Sequence, residues 1–190
     1  MTLIQARKIL LRDLELHDED AFLRWQTSGE WRYLDAPWEG ILHALSPEQE
    51  QAFRDRFREA RQKPLTTPRK TAVISLTAGT PIGFVNRYGE DRFPEVHYLG
   101  ISICEDDYLG QGLGSAALRA WIDYLFENSS VHKLEVHTWS LNPRMMHVAE
   151  KLGFKHEGTE RELVEWQGIR LDRVRYGLLR REWESARSTR

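Results

Sequence analysis

The segment "YLGQGLGSAALRA", Tyr108 to Ala120, sets glycine at alternate positions, Gly110, Gly112 and Gly114, just before a run of helix-forming residues. Glycine adopts positive φ without strain and lets another molecule approach the main chain closely. Consecutive N–H groups that feed a helix N-terminus have no partner inside the helix, and the helix dipole is positive at that end. The chemistry this suits is the holding of an anion, a pyrophosphate in particular. Two other phosphate-binding loops fit badly. A P-loop ends in Gly-Lys and then Ser or Thr, whereas Gly114 is followed by Ser115 and Ala116. A dinucleotide-binding loop follows the first strand of a parallel array, and this loop lies past the middle of the chain. Glycine-rich turns from strand to helix also serve geometry alone, so the loop is interpretable only with its neighbours.

Those neighbours are strands and helices in mixed order. "RKILLRDLEL" alternates as a strand, and "HDEDAFLRWQTS" is a helix with acidic residues in its first turn. "SGEWRYLDAPWEGILHAL" has no period and reads as a long ordered loop. "SPEQEQAFRDRFREARQ" is a helix with Ser46 as cap, Pro47 in the first turn and Gln49 closing a capping box. "TAVISL" and "PIGFVNRY" form a hairpin, and "EVHYLGISIC" is the strand before the glycine loop. The helix after the loop gathers Ala117, Leu118, Trp121, Tyr124 and Leu125 on one face, which must pack on a sheet. "HKLEVHTW" is a strand, "NPRMMHVAEKLGF" a short helix closed by Gly153, and "FKHEGTERELVEWQGIRLDRVRYGLL" two strands turned at "WQG". The charged end, "RREWESARSTR", is expected to fray. The fold class expected is α/β (α+β), with a mostly antiparallel sheet, in a single domain over 1–190.

Composition narrows the function classes. Net charge is -2 across 190 residues, so no basic field points to nucleic acid. No apolar run reaches a bilayer span, and no charged-then-apolar leader opens the chain. Cys104 is the single cysteine, which excludes an internal disulfide and a cysteine-built metal site. A cytoplasmic protein is expected.

Taken together, "GISICEDDYLGQGLGSAALRA" and "LEVHTWSLNPRMMHVAEKLGF" resemble the GNAT superfamily of acetyl-CoA-dependent N-acetyltransferases. The nearest likeness is to the branch that holds the RimJ/RimL ribosomal-protein acetyltransferases and several aminoglycoside and polyamine acetylating enzymes. The likeness covers most of the chain and implies a central sheet with splayed middle strands. It implies acetyl-CoA as donor and no metal. Carried over, the pyrophosphate loop is Leu109, Gly110, Gln111, Gly112, Leu113, Gly114 and Ser115, and pantetheine meets the strand at Ile101, Ser102, Ile103 and Cys104. Asn142 matches the asparagine that opens the next helix and contacts the cofactor, with Arg144 and Lys151 as partners for its phosphates. Two departures stand out. Leu109 occupies a position that usually holds Arg or Gln, and Ala149 falls where a tyrosine often protonates the leaving thiolate.

Direct transfer asks the protein to deprotonate an amine, polarise a thioester carbonyl and let a thiolate leave. Main-chain N–H groups on the splayed strand suit the second task, and a base need only reach the ammonium directly or through one water. The candidates are Glu95 and His97 on one face of their strand and Tyr98 on the other, with His137 on the next strand beside Glu135 and Trp139. In many relatives a glutamate stands at about the position of Tyr98, which here either binds substrate or acts as an acid. A ping-pong scheme through Cys104 is the weaker alternative, since a small residue ending a buried strand suffices to explain it.

For the acceptor, "EWRYLDAPWEG" supplies Trp31, Tyr33, Asp35, Trp38 and Glu39, and the last hairpin supplies Glu160, Glu162, Glu165 and Trp166. Aromatic faces and carboxylates suit a cationic amine; they equally suit a loop anchored to a core beside a solvated acidic face. The expected function is transfer of acetyl to a primary amine, either a protein N-terminus or a small molecule. The rival that Ala149 keeps open is an acyl-CoA-binding sensor without turnover; a nucleotide-binding module with the same loop is a third reading. The family often forms homodimers, though no feature of this sequence demands one.

Overall fold

The computed structural model describes residues 1–6, 8–39 and 43–188. Its elements in chain order are β1 (Thr2–Ala6), β2 (Ile9–Arg12), α1 (Glu19–Trp25), α2 (Pro47–Gln62), β3 (Thr71–Leu76), β4 (Pro81–Tyr88), β5 (Val96–Ile103), α3 (Leu113–Asn128), β6 (Lys133–Trp139), α4 (Pro143–Lys151), β7 (Lys155–Trp166), β8 (Ile169–Leu179) and α5 (Arg180–Ser188). The strands form one sheet in the order β1-β2-β3-β4-β5-β6-β8-β7. Every neighbouring pair is antiparallel except β5 with β6. The expected mixed, mostly antiparallel sheet is therefore the sheet observed. Among the described residues no helix is long and apolar enough to cross a membrane.

The local rules account for most elements. Ser46 caps α2, its hydroxyl accepting from the Gln49 N–H at 3.3 Å while the Gln49 side chain accepts from the Ser46 N–H at 2.8 Å. The expected strand over 7–16 is shorter, and β1 precedes it. Arg12 ends β2 by donating two 2.7 Å bonds to the buried carboxylate of Asp18, which turns the chain into α1. The predicted face of α3 is buried in full, with Ala117, Leu118, Trp121, Tyr124 and Leu125 in the main core. Ala21, Trp25 and Cys104 form a smaller cluster on the other face of the sheet, joined by Phe22, Trp31 and Phe84.

The expectation of a frayed end is corrected. Residues 180–188 are helical, because Trp183 is buried and its indole N–H donates to Asp123 Oδ1 at 2.8 Å. Arg180 adds bonds to the carbonyls of Phe126 and Ser129, which the end of α3 leaves without helical partners, and to the Val131 carbonyl in the loop beyond. Only Thr189 and Arg190 lie outside the described residues at this end. The loop before α2 contains one 3-10 turn, Glu30–Tyr33, and Gly40, Ile41 and Leu42 lie outside the described residues.

One departure from a regular sheet positions everything that follows. β5 and β6 pair only at Val96 with Lys133, His97 with Leu134 and Tyr98 with Glu135. Beyond Tyr98 the strands diverge, while β5 stays paired with β4 as far as Ile103. The Cys104 N–H bonds the Ile82 carbonyl, so main-chain groups at Ser102 and Gly100 also turn toward β4. By the two-residue alternation, Leu99, Ile101 and Ile103 turn theirs into the gap.

Candidate active site

The glycine loop stands at the mouth of that gap. Gly110 and Gly112 have φ of 72° and 75°, and a Cβ on either would meet no protein atom within 4 Å. The left-handed backbone calls for glycine, and the space beyond is open. Gly112 opens α3 without a side-chain cap, and the first helical bond runs from the Ala116 N–H to the Gly112 carbonyl. The N–H groups of Leu113, Gly114 and Ser115 precede it. Gly114 serves another purpose. Its φ is ordinary, and a Cβ there would touch Ile103 Cγ1 at 3.5 Å, so it seats α3 closely on β5.

These elements enclose a cavity of about 380 Å³ between the opened edge of β5, the loop and α4. It is lined by Ile101, Ser102, Ile103, Leu109, Gly110, Gly112, Leu113, Gly114, Ser115, Asn142, Arg144 and Lys151. Of the residues expected to hold the cofactor, Gln111 and Cys104 are absent; the Gln111 side chain turns back to donate to the Asp107 carbonyl at 2.7 Å, and Cys104 is buried against Ala21 and Trp25. Asn142 caps α4, accepting from the Met145 N–H at 3.0 Å and donating to the Leu34 carbonyl at 3.2 Å. It thereby ties the loop between α1 and α2 to α4. Arg144 pairs with Glu30 at 3.1 Å. Leu34, Tyr108, Met145, His147 and Val148 also line the cavity and carry no signal in the sequence that singles them out.

The four catalytic candidates separate. Glu95 lies before β5 rather than on it; it is exposed, and its carbonyl accepts from the N–H groups of His132 and Lys133. His97 shares the face of Leu99 and Ile101 that packs toward α3, and it lies 3.4 Å from Arg87 Nη1. Burial and then Arg87 push its pKa down. None of the four candidates lines the cavity. Tyr98 and His137 come together on the other face where the strands part, with ring centroids 4.9 Å apart. Tyr88 stacks on Tyr98 at 5.2 Å.

The polar contacts of this pair are specific. His137 Nε2 lies 3.0 Å from Glu135 Oε2, and Lys133 holds Oε1 at 2.7 Å. Burial opposes ionisation of Glu135, but Lys133 and His137 outweigh it and keep the carboxyl below its usual range. An ionised carboxylate only accepts, so in the neutral ring Nε2 carries the proton and Nδ1 keeps its lone pair. The Tyr98 hydroxyl donates to Glu90 Oε1 at 3.1 Å. Burial and then that bond push the phenol up, so it stays protonated. Ala149, by contrast, is fully buried in the core and does not line the cavity. Cys104 is buried too; its thiol is pushed far up by burial and then by Glu105 and Asp106, which removes it as a nucleophile.

The acceptor residues divide likewise. Trp31 and Asp35 line the cavity. The protein packed around Asp35, and then Glu39, raise its carboxyl pKa, although the residue keeps contact with solvent. Burial and then Asp35 raise the Tyr88 phenol, which links the cavity to the tyrosine pair. Trp38 does not line the cavity; it packs edge-on against Trp139 at 4.6 Å and lies 6.2 Å from Trp166. Tyr33 is exposed. Glu160 is neutralised by Arg173 at 2.7 Å, so it does not offer a free carboxylate to an amine. Glu162 sits in a bulge of β7 at φ 52°, its N–H donating to Asp172 Oδ1. Glu165 pairs with Arg170 at 3.0 Å.

Known proteins share this architecture. The family model for the acetyltransferase (GNAT) domain matches residues 8–155. YdaF of Bacillus subtilis (strain 168) is 30% identical over 106 residues, 56% of this chain and 57% of that protein. The aminoglycoside N(6')-acetyltransferase type 1 of Klebsiella pneumoniae is 29% identical over 99 residues, 47% of this chain and 49% of that protein. The matches thus span about half the length of these relatives. The crystal structure of spermidine N-acetyltransferase from Vibrio cholerae in complex with CoA and spermine superposes with a TM-score of 0.74 at 18% identity, covering 93% of this chain and 98% of that one. It shares the fold. With most of its length, the opened β5–β6 pair and the glycine loop inside the matched region, the chain belongs to the GNAT acetyltransferase domain family.

Proposed function

We propose that the protein is a cytoplasmic acetyl-CoA-dependent N-acetyltransferase that moves acetyl directly to a primary amine. The observation that carries the reading is the single cavity bounded by both the opened edge of β5 and the glycine cradle. A coenzyme A thioester fits the residues present. The N–H groups at the start of α3 suit its pyrophosphate, and the extended edge at Leu99, Ile101 and Ile103 suits a pantetheine arm pairing as a strand would. Arg144 and Lys151 lie at the same wall. When bound, the thioester supplies the acyl group. A main-chain N–H facing the gap is placed to donate to a carbonyl oxygen there.

His137, oriented by Glu135, is the group that takes the proton from the acceptor ammonium, directly or through one water. Tyr98, kept protonated by burial and Glu90, is the acid at the apex of the gap and stands in for the phenol that Ala149 lacks. Asp35, beside aromatic Trp31, Tyr88 and Tyr98, attracts a cationic amine. Both a protein N-terminus and a small amine meet that description.

The test is calorimetric titration with acetyl-CoA, coenzyme A and ATP, followed by thiol release across a panel of peptides, aminoglycosides and polyamines. Binding of both coenzyme A forms but not ATP, with thiol release for at least one amine, is the expected result. Binding without release for any amine supports the sensor reading instead. Absence of binding removes the transferase reading altogether.

A further inference from the structure

His137 takes its orientation from Glu135, and Glu135 is itself held by Lys133. The chain of contacts goes one residue further. Lys133 Nζ also donates to Glu157 Oε2 at 2.6 Å, although Glu157 belongs to β7 and β8 lies between β7 and β6. Two features make that reach possible. Glu157 is the extra residue where the β7–β8 register shifts, between His156 opposite Tyr176 and Gly158 opposite Arg175. A bulge of this kind re-aims a side chain. Gly177, directly opposite Glu135 in β8, carries no side chain at the crossing. Its φ lies outside the left-handed region, so its backbone suits any residue, but a Cβ there would overlap the Glu157 carboxylate. Gly158 does the converse. A Cβ on it would stand 3.0 Å from Arg175 Nη2, so the space it leaves receives Arg175, whose Nε lies 3.8 Å from Glu160 Oε1. Arg175 is the register partner of His137, and its charge is thereby drawn over β7 rather than over β6. One glycine admits a carboxylate toward the base, and the other leads a cation away from it.

We infer that Glu157, seated over Gly177, is a positioning residue for the base: it clamps Lys133, so that Lys133 fixes Glu135 and Glu135 fixes the His137 ring. The inference rests on the reading of His137 as base and extends the site to the outermost strand of the sheet. Burial opposes the charge on Lys133, yet its two carboxylates outweigh that and keep it an ammonium. A lysine side chain is flexible and loses much rotamer freedom when held. One carboxylate gives its ammonium a single tether, whereas two fix it in place. An isolated exposed ion pair contributes little. This one is half-buried, with the Lys133 side chain 22% exposed and Glu135 14%, and members of one ion-pair network couple to each other.

The experiment compares Glu157→Ala, Gly177→Ala and the double variant with the wild type. kcat and KM are measured with the best amine of the panel, and acetyl-CoA affinity by calorimetry. The His137 Nε2–H proton is followed by NMR and assigned by its absence in His137→Gln. Each single substitution is expected to lower kcat about fivefold and to leave acetyl-CoA affinity unchanged. The double variant should be no slower than Glu157→Ala, because both changes take the same carboxylate from Lys133. The wild type should show a slowly exchanging Nε2–H resonance that broadens or vanishes in all three variants. An intact resonance or an unchanged kcat in Glu157→Ala overturns the inference. That side chain is 36% exposed, so its removal spares the fold and decides the question even if Gly177→Ala fails to fold. Additive losses in the double variant also overturn it, since they mark general packing of the β7–β8 hairpin. If no amine is acetylated, the reading of His137 as base fails, while loss or retention of the resonance still decides whether Glu157 fixes the ring.

Discussion

The two halves of the candidate site are built by different means. The half toward α3, at the cavity itself, is made of main chain: two left-handed glycines, the first N–H groups of a helix and a strand edge released from its neighbour. The half where β5 and β6 part, outside the cavity lining, is made of side chains: Tyr88, Tyr98, Glu135 and His137, held by Glu90 and Lys133. A backbone site depends on conformation and is broken by adding atoms. A side-chain site depends on chemistry and is broken by removing them. The first suits a constant ligand, the second one that differs among relatives.

Substitutions can test that division. The largest effect is expected from Gly112→Trp, which strains a left-handed position and fills the open space before it. Coenzyme A affinity should fall by about 100-fold or more, given a strain of a few kcal/mol and tenfold per 1.4 kcal/mol. Near-normal binding in that variant would mean the loop is not a backbone cradle. His137→Gln and Tyr98→Phe come next, with kcat lowered about 100-fold and coenzyme A affinity unchanged by calorimetry. If binding falls in step with kcat, the two halves are not separable.

A pH profile sharpens the assignment of Tyr98. Burial and Glu90 favour the neutral phenol, so its proton is lost only above the ordinary tyrosine value of about 10. Activity that needs this acid should persist through pH 9 and decline above 10, and Tyr98→Phe should lack that decline. Glu135→Gln should cost less than His137→Gln, since it loosens the imidazole without removing it; equal losses would make Glu135 a direct participant. The smallest effect belongs to Cys104→Ala. It should leave kcat within about twofold and lower stability by about 1 kcal/mol, read from chemical denaturation. A collapse of kcat there would revive transfer through the thiol.

The same division explains what could be read from the sequence. Glycines at 110 and 112 declare a backbone requirement directly, and so the cradle, its strand and α4 are legible from residue types alone. The two-residue alternation also separates His97 from Tyr98 correctly. It does not tell which face meets the acceptor, because that depends on where α3 packs. Tyr88 was hidden for a related reason: it faces Tyr98 only through the register of β4 against β5. Glu160 reads as a free carboxylate until β8 brings Arg173 opposite it. The helix at the end was masked by its charges, since one buried tryptophan and one capping arginine hold it.

Trp38 packs edge-on against Trp139 and within 6.2 Å of Trp166, so three indoles from the loop, β6 and β7 are close enough for their transitions to couple. The position of the loop that carries Trp38 is thereby written into the near-ultraviolet circular dichroism of the unmodified chain. A movement of that loop would change the coupling without any label. Under the proposed function, an amine that displaces the loop would be detected optically before any turnover.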